Sequence, residues 1–391
     1  MGKTSRRSLT NSTKGSFTNC HKKYYWKHVE KLDPIVTKPP LAFGRLIHQC
    51  KEEFYKNKVV LFDSIIDQWL DDYKQTIIEA QKKSGFEGEV DLSKAEKMAD
   101  LAKGIMIGYV ERYAQDLNKW KILAVEKEFR YPLVVPCSKC QGDGCDKCNK
   151  TGLGRKSPVW DYSGVIDLII QDEKNHTWIG EHKTTALSDL DEYERDLGLD
   201  MQPRGYVWAA RKICQENGWP KPIGIIYNLI RKKIPATPKT TQCKKCKGTG
   251  EKKGSPCRDC NSTGIGGLSK AQGIDTTLDR YVEALNKHPH IDINHYQDVI
   301  LQLQARGDRF FKRVQFFISD KEIIEWLKET YQICRDIAHT KWFYRDLTSC
   351  NVNGRRCAYR SLCLDDSCMA RANFKQRDTV HPELQGEEEE D

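Results

Sequence analysis

The sequence predicts an α/β protein in which a mixed central sheet is flanked by helices and preceded by a helical region. Three observations carry this. Through the first third of the 391 residues, apolar positions recur at three- and four-residue spacing, the period of an amphipathic helix. In the middle third, short runs rich in β-branched and apolar residues alternate with turn residues, the mark of strands. A last strand-like run and one long helical pattern then lead into a cysteine-rich end. A chain of this length can bury a large core.

The elements follow in order. Residues 1–16 are polar and basic with no apolar stretch, which predicts a disordered arm and excludes a secretory signal. Helices are expected over 17–32, 42–57, 61–82 and 92–119, giving a helical region over 17–120. Strands are expected over 122–135, 159–171, 177–183 and 223–234, with a helix over 201–218 before the last of them. A strand over 310–319 and a helix over 320–342 complete a core spanning 121–380. Residues 381–391 form an acidic tail.

The formal charge is +9 although the last five residues are all acidic, so the rest of the chain carries about +14. Such a body suits a polyanionic partner. No run of eighteen apolar residues exists, so no membrane span is expected, and the cytoplasm is the expected compartment. The 16 cysteines of an unexported chain then point to metal ligation rather than disulfides.

Two stretches carry the chemistry. Gly164-Val165-Ile166-Asp167 ends in an acid on the strand over 159–171, and Glu181-His182-Lys183 ends the next strand. A hairpin would bring Asp167 and Glu181 to one cation, with Lys183 beside them. Hard oxygen ligands hold Mg²⁺ or Mn²⁺. The metal polarises a phosphate and its attacking water, and a lysine orients or deprotonates that water and offsets charge. This is the set that a metal-dependent phosphodiesterase requires. Glu126 and Glu128 lie on the preceding strand, and alternation alone does not decide which of them faces the site. Glu52, one helical turn after His48, reads as a solvated charge.

The cysteines form three groups. Cys137-x2-Cys140-x4-Cys145-x2-Cys148 and Cys243-x2-Cys246-x10-Cys257-x2-Cys260 each supply two knuckles, enough for one tetrahedral Zn²⁺. Cross-pairing of knuckles between the groups is the alternative. Glycines at 142, 144, 248 and 250 relax the turns so that backbone N–H groups can face sulfur. Both patches resemble the cysteine-rich repeat of DnaJ chaperones, and nothing in the chain resembles a J domain. They read as ribbons inserted at sheet tips, over 136–157 and 236–267, ringed by lysines that either grip nucleic acid or merely surround structural clips. In the third group, Cys350-x6-Cys357-x5-Cys363 lacks a fourth ligand, and Cys368 follows as a spare thiol that could replace Cys363. Cys20, far away in a basic aromatic segment, would complete a [4Fe–4S] cluster stapling the two ends of the chain over 350–368.

Taken in order, these residues resemble the RecB-like PD-(D/E)XK nucleases, specifically the iron–sulfur branch that includes AddB and the CRISPR-associated RecB-like exonucleases. Cys20-His21-Lys22-Lys23-Tyr24-Tyr25 is similar to the first cluster segment. Phe43-Gly44-Arg45-Leu46-Ile47-His48 is similar to the motif whose histidine joins the metal site. Gln202-Pro203-Arg204-Gly205-Tyr206 is similar to the Gln-x3-Tyr motif, with Pro203 placing it at a helix start. The resemblance implies a restriction-endonuclease-like fold. It implies Mg²⁺ or Mn²⁺ on His48, Asp167, Glu181 and the backbone carbonyl of His182, with Lys183 positioning water. Gln202 and Tyr206 would contact the scissile strand or support the site. It also implies exonucleolytic action on DNA ends or single strands in recombination, repair or phage DNA metabolism. A helicase, annealing or recombination partner would be a separate chain. The zinc-type insertions depart from the family pattern. Two rival readings stand beside this one: a non-catalytic zinc and iron–sulfur nucleic-acid-binding protein, and a zinc-dependent DnaJ-like chaperone or thiol protein.

Overall fold

Six strands can form one sheet because the middle ones carry apolar side chains on both faces. In the computed structural model, which describes residues 6–83, 90–271, 276–307, 309–352, 355–379 and 384, they are β1 (Arg7–Leu9), β2 (Lys121–Pro136), β3 (Leu153–Gln171), β4 (Thr177–Thr185), β5 (Pro222–Arg231) and β6 (Phe311–Phe317). The order is β1-β3-β4-β5-β6, with β2 also on β3. β2 runs antiparallel along one edge of β3, while β1 (parallel) and β4 (antiparallel) share the other edge. β5 is parallel to β4, and β6 antiparallel to β5. The sheet is therefore mixed, as expected.

Alternation splits the sheet's apolar residues between two cores. Leu168, Ile170, Trp178 and Ile226 face a core with Phe43, Leu46, Ile47 and Phe54 of α2 (Pro39–Asn57) and Ala102, Ile105 and Met106 of α4 (Ser93–Tyr113). Ile169, Ile179 and Ile225 face the other, with Val207 and Ile213 of α5 (Gln202–Glu216) and Trp326 and Leu327 of α6 (Asp320–His339). Each fully buried Leu or Ile contributes about 1.5–3 kcal/mol. α2 starts at Pro39 and Pro40, which suit a first turn whose N–H groups have no partner anyway. It stops where Lys58 turns left-handed, φ 56°. α3 (Asp63–Lys83) packs outside α4. A separate small core of Leu268, Tyr281, Leu285 and Tyr296 lies beside the second cysteine group, where Tyr296 Oη accepts the Leu268 N–H at 2.9 Å.

Three expectations change. The disordered arm over 1–16 is structured from Arg6 onward: Leu9 is fully buried, Arg6 Nε donates to Asp161 at 2.6 Å, and Thr10 caps α1 (Asn11–Asn19) by accepting the Thr13 N–H. Residues 1–5 lie outside the described residues. The helix over 17–32 is broken at Cys20, whose backbone is extended, and resumes as short turns at His21–Tyr24 and Tyr25–Val29. The strand over 159–171 begins earlier, at Leu153, so the insertion over 136–157 is shorter. The Cys137 N–H bonds Gly152 O at 2.9 Å, and Leu153 pairs with Pro136 at once. The acidic tail, apart from Leu384, lies outside the described residues. No helix among the described residues is long and apolar enough to cross a membrane.

Candidate active site

The β3–β4 register, with Leu168 opposite Gly180, sets Asp167 across from Glu181. The turn between the strands thus does what the sequence pattern asked of it. The His182 N–H donates to Asp167 Oδ2 at 2.9 Å, which fixes that carboxylate in the sheet. α2 crosses close above β4: a Cβ at Gly44 would stand 3.8 Å from Thr184. One turn later this approach delivers His48 to the acids.

His48 settles its own tautomer. Its Nε2 lies 3.0 Å from the His182 carbonyl, an acceptor, so Nε2 carries the proton. Nδ1 is then a lone pair, and it faces Asp167 Oδ2 at 3.5 Å. With Asp167 ionised, two acceptors face each other, an arrangement that a cation satisfies. Burial pushes the His48 imidazole down to about 4, so the ring is neutral at pH 7.

Glu126 joins this pair. Ligand atoms of His48, Glu126 and Asp167 lie within 4.8 Å of one another. The ladder of β2 and β3 skips Glu126, whose φ is +46° in an otherwise extended strand, while Glu128 is exposed. Burial, and next the charge of Asp167, push Glu126 up to about 8. Burial likewise pushes Glu181 up to about 7 and raises Asp167. Such raised carboxylates need compensation to ionise, which a divalent ion supplies. The donor set of one imidazole nitrogen and carboxylate oxygens fits Mg²⁺ or, with more weight on nitrogen, Mn²⁺.

Lys183 donates to Glu181 Oε1 and to Gln202 Oε1, both at 2.8 Å. Burial works against its charge, but Glu181 outweighs burial and raises its pKa above the usual lysine value, so it stays an ammonium. Gln202 opens α5, with Pro203 in the first turn. Tyr206 is buried in the core and borders Phe129, 6.0 Å away. Gln202 holds Lys183 directly, and the Tyr206 hydroxyl bonds Gln202. The His182 side chain points away from the acids: its Nδ1 meets Asn228 Nδ2 at 3.1 Å, and its ring stacks on Tyr55 at 5.7 Å. Asn228 Oδ1 accepts from Arg313 Nε at 2.6 Å, and Arg313 clamps Asp116 at 3.0 and 2.7 Å. The His182 carbonyl is engaged by His48. Glu52 pairs with Lys56 at 3.3 Å on the surface of α2.

The cysteines sort by group. Cys137, Cys140, Cys145 and Cys148 close into one tetrad, and Cys243, Cys246, Cys257 and Cys260 into another, each within 4.8 Å. Knuckles do not pair across groups. The two ribbons share one construction: Cys137 N–H to Gly152 O at 2.9 Å matches Cys243 N–H to Gly264 O at 2.8 Å. The Cys145 N–H donates to Cys148 Sγ at 3.2 Å and is the first cause of that thiol's fall to about 6. Four cysteines per site, with backbone donors to sulfur, fit a tetrahedral thiolate metal.

Cys20 and the C-terminal cysteines are drawn to one place. Asp346 N–H donates to Cys20 Sγ at 3.4 Å, and Cys350 Sγ to Asp346 O at 3.6 Å. Cys357 N–H bonds Cys350 O at 2.9 Å, and Cys357 and Cys363 pack around Trp26, Tyr359 and Leu362. Cys368 is exposed. Among the described residues, these sulfurs do not close into a group as tight as the two tetrads. Tyr24 packs in the main core against Phe17, 5.2 Å away, and Trp26 beneath the cysteines, so neither is a stacking platform. Cys50, Cys214 and Cys334 are plain buried thiols.

A mixed sheet with an acid opposite Glu-x-Lys, and a helix bringing histidine to them, is an arrangement that could hold a divalent metal beside a phosphodiester. A sequence model of the PD-(D/E)XK nuclease superfamily matches residues 8–364. The chain belongs to that superfamily, and a protein of this class is a metal-dependent nuclease that acts on DNA. No curated protein matches the chain.

Sequence reasoning missed Lys51, which is buried among these acids, and left Glu126 undecided. A lysine on the apolar face of α2 was the available signal for the first. Nothing in the sequence announces the backbone twist at the second.

Proposed function

We propose that the protein is a Mg²⁺- or Mn²⁺-dependent deoxyribonuclease of the RecB-like iron–sulfur type, acting as an exonuclease on DNA ends or single strands. The observation that carries the metal reading is the pair His48 Nδ1 and Asp167 Oδ2, 3.5 Å apart, with Glu126 in reach. His48, Glu126, Asp167 and Glu181 would hold the ion, which when bound polarises the phosphate and activates water. The chain's own residues do the rest. Lys183, kept cationic by Glu181 and aimed by Gln202, offsets the charge that grows on the phosphate and orients water by donation rather than by accepting a proton. Arg313 and Asn228 hold His182, and with it the backbone on which Asp167 and His48 both rest.

Two zinc ions in the tetrads and a [4Fe–4S] cluster on Cys20, Cys350, Cys357 and Cys363 would be structural. Pairing of Leu32–Pro34 with Phe374–Gln376 already ties the two ends of the chain, and the cluster would lock that tie. The exonuclease role and its setting, recombination, repair or phage DNA metabolism beside a separate helicase or annealing protein, rest on the resemblance to the RecB-like branch.

The test uses 5′- and 3′-labelled single- and double-stranded DNA with Mg²⁺ or Mn²⁺. Wild type should shorten one labelled end progressively. Asp167→Ala and Lys183→Ala should each lose on the order of a hundredfold or more in rate. Equal cutting by wild type and Asp167→Ala would remove the reading. Cutting only at internal sites would retain the nuclease and exclude the exonuclease.

A further inference from the structure

Lys51 follows His48 by one turn on α2, on the face turned to the core. Its side chain is 0% exposed and its ammonium has no hydrogen-bond partner. A buried cation without a partner is costly, so what surrounds it decides whether it can persist. Burial pushes the Lys51 ammonium down to about 7, while the charges of Asp167, Glu181 and Glu126 work to keep it protonated, and the ring of Tyr109 lies 5.7 Å away. A matching orphan exists: Glu181 Oε2 is buried and unpartnered, although Glu181 Oε1 takes Lys183. Lys183 is committed to Glu181 and Gln202, whereas Lys51 is committed to nothing. The site thus holds three carboxylates and two ammoniums, leaving one net negative charge at full ionisation. One divalent ion more than balances that. A second would leave a strongly positive buried site.

We propose that Lys51 is a resident cation of the acidic site, taking the electrostatic place of a second metal and limiting the site to one divalent ion. The inference rests on the proposed metal site but not on DNA cleavage. It explains why a lysine sits where the pattern of α2 calls for an apolar residue: uncompensated, Glu126, Asp167 and Glu181 would repel one another in a buried space. It also assigns the two lysines different roles, Lys183 towards the reacting phosphate and Lys51 towards the ligand set.

Mn²⁺ binding to the full chain, with its cysteine sites loaded with metal, tests this by calorimetry and by electron paramagnetic resonance of free Mn²⁺ at pH 7. Asp167→Ala serves as the background for sites elsewhere. Wild type should bind one Mn²⁺ above that background. Lys51→Met, which keeps the length and loses the charge, should bind the first Mn²⁺ at least tenfold tighter and take up a second. Lys51→Arg should keep one. If Lys51→Met folds and binds one Mn²⁺ within threefold of wild-type affinity, the proposal is overturned. If Lys51→Met does not fold without metal, the double variant Lys51→Met/Glu126→Gln, which removes one charge of each sign, should fold. Its failure to fold marks Lys51 as a packing residue and also overturns the proposal. Wild type that binds no Mn²⁺ above background removes the metal site itself, whereas normal binding with no cleavage removes only the nuclease reading.

Discussion

Replacing Arg313 with Met should destabilise the protein by about 4 kcal/mol. The guanidinium donates to both oxygens of Asp116, at 3.0 and 2.7 Å, and to Asn228 at 2.6 Å. It also stacks over Tyr113 and Trp120, 4.1 and 4.3 Å from their ring centres. Asp116 is buried, so losing the arginine leaves a carboxylate with only the Tyr55 hydroxyl to meet it. Removing one partner of a buried pair costs about 3–5 kcal/mol, and each aromatic contact adds about 0.5–1 kcal/mol. Methionine returns part of the packing. With a urea slope of about 3 kcal/mol/M, the unfolding midpoint should fall by roughly 1.3 M. The pair is responsible only if the effects are coupled, so the assay is a double-mutant cycle in urea. Arg313→Met, Asp116→Asn and the double variant are compared, and the double should be less damaged than the sum by about 0.5–3 kcal/mol. A loss below about 1 kcal/mol for Arg313→Met, or strict additivity, refutes the reasoning.

Other outcomes follow from the same geometry. In the metal-free protein the carboxyls of Glu126 and Glu181 are raised to about 8 and about 7 from an ordinary value near 4.5. Each of these two carboxyls holds more proton folded than unfolded from about pH 4.5 up to its raised value, so its share of metal-free stability is lost as pH rises, against the opposite shares of His48 and His182, whose imidazoles are lowered, and of Lys51, lowered to about 7; the stability difference between wild type and Glu126→Gln should therefore fall between pH 5 and 8, and a difference with no slope over that range contradicts it. Saturating Mn²⁺ should flatten the slope. Glu126→Gln should raise the melting temperature of the metal-free protein while weakening Mn²⁺ binding at least tenfold by calorimetry, and unchanged binding would remove Glu126 from the ligand set. Gly152→Ala should release zinc faster to a chelating dye, because φ is +73° there and a Cβ would stand 2.2 Å from Gly142 O; release at the wild-type rate counts against that constraint. Cys20→Ser should lose iron from anaerobically purified protein and keep zinc, and full retention of iron would exclude Cys20 as a ligand.

What the sequence made legible was whatever its local pattern dictates. The runs of β3 and β4 are apolar and β-branched with a short turn between them, which reads as a hairpin, so Asp167 and Glu181 could be paired without coordinates. The two tetrads were legible because each knuckle spacing is local and repeated. The strand at Arg7–Leu9 was not, because three residues in a basic segment carry no period. They become a strand only because β3 offers an open edge at 160–162 and Asp161 a partner for Arg6. The helix break at Cys20 was hidden for a similar reason: nothing in Asn19-Cys20-His21 stops a helix, and the extended backbone goes with contacts to Asp346 and Ser349 far along the chain.

The site shows the same division with more consequence. Asp167, Glu181 and Lys183 were picked out by two strand-like runs and His48 by the resemblance of its motif, and the fold brings the four together. Glu126 could not be picked out, because its place depends on a break in the period. Its register mate across the ladder is Asp167, yet that pair of residues makes no ladder contact, because Glu126 alone in β2 turns to φ +46°. For a residue with a Cβ this costs about 1–2 kcal/mol. The regular strand on either side makes the departure local, and its effect is to turn one carboxylate towards His48 and Asp167. Strain and a raised carboxyl at the same residue both work against the metal-free fold. A cation bound between the three side chains, as proposed, would offset both. Lys51, lowered to about 7 by burial but held up by these acids, would supply part of that positive charge while protonated and so help the fold hold the acids together before any ion arrives.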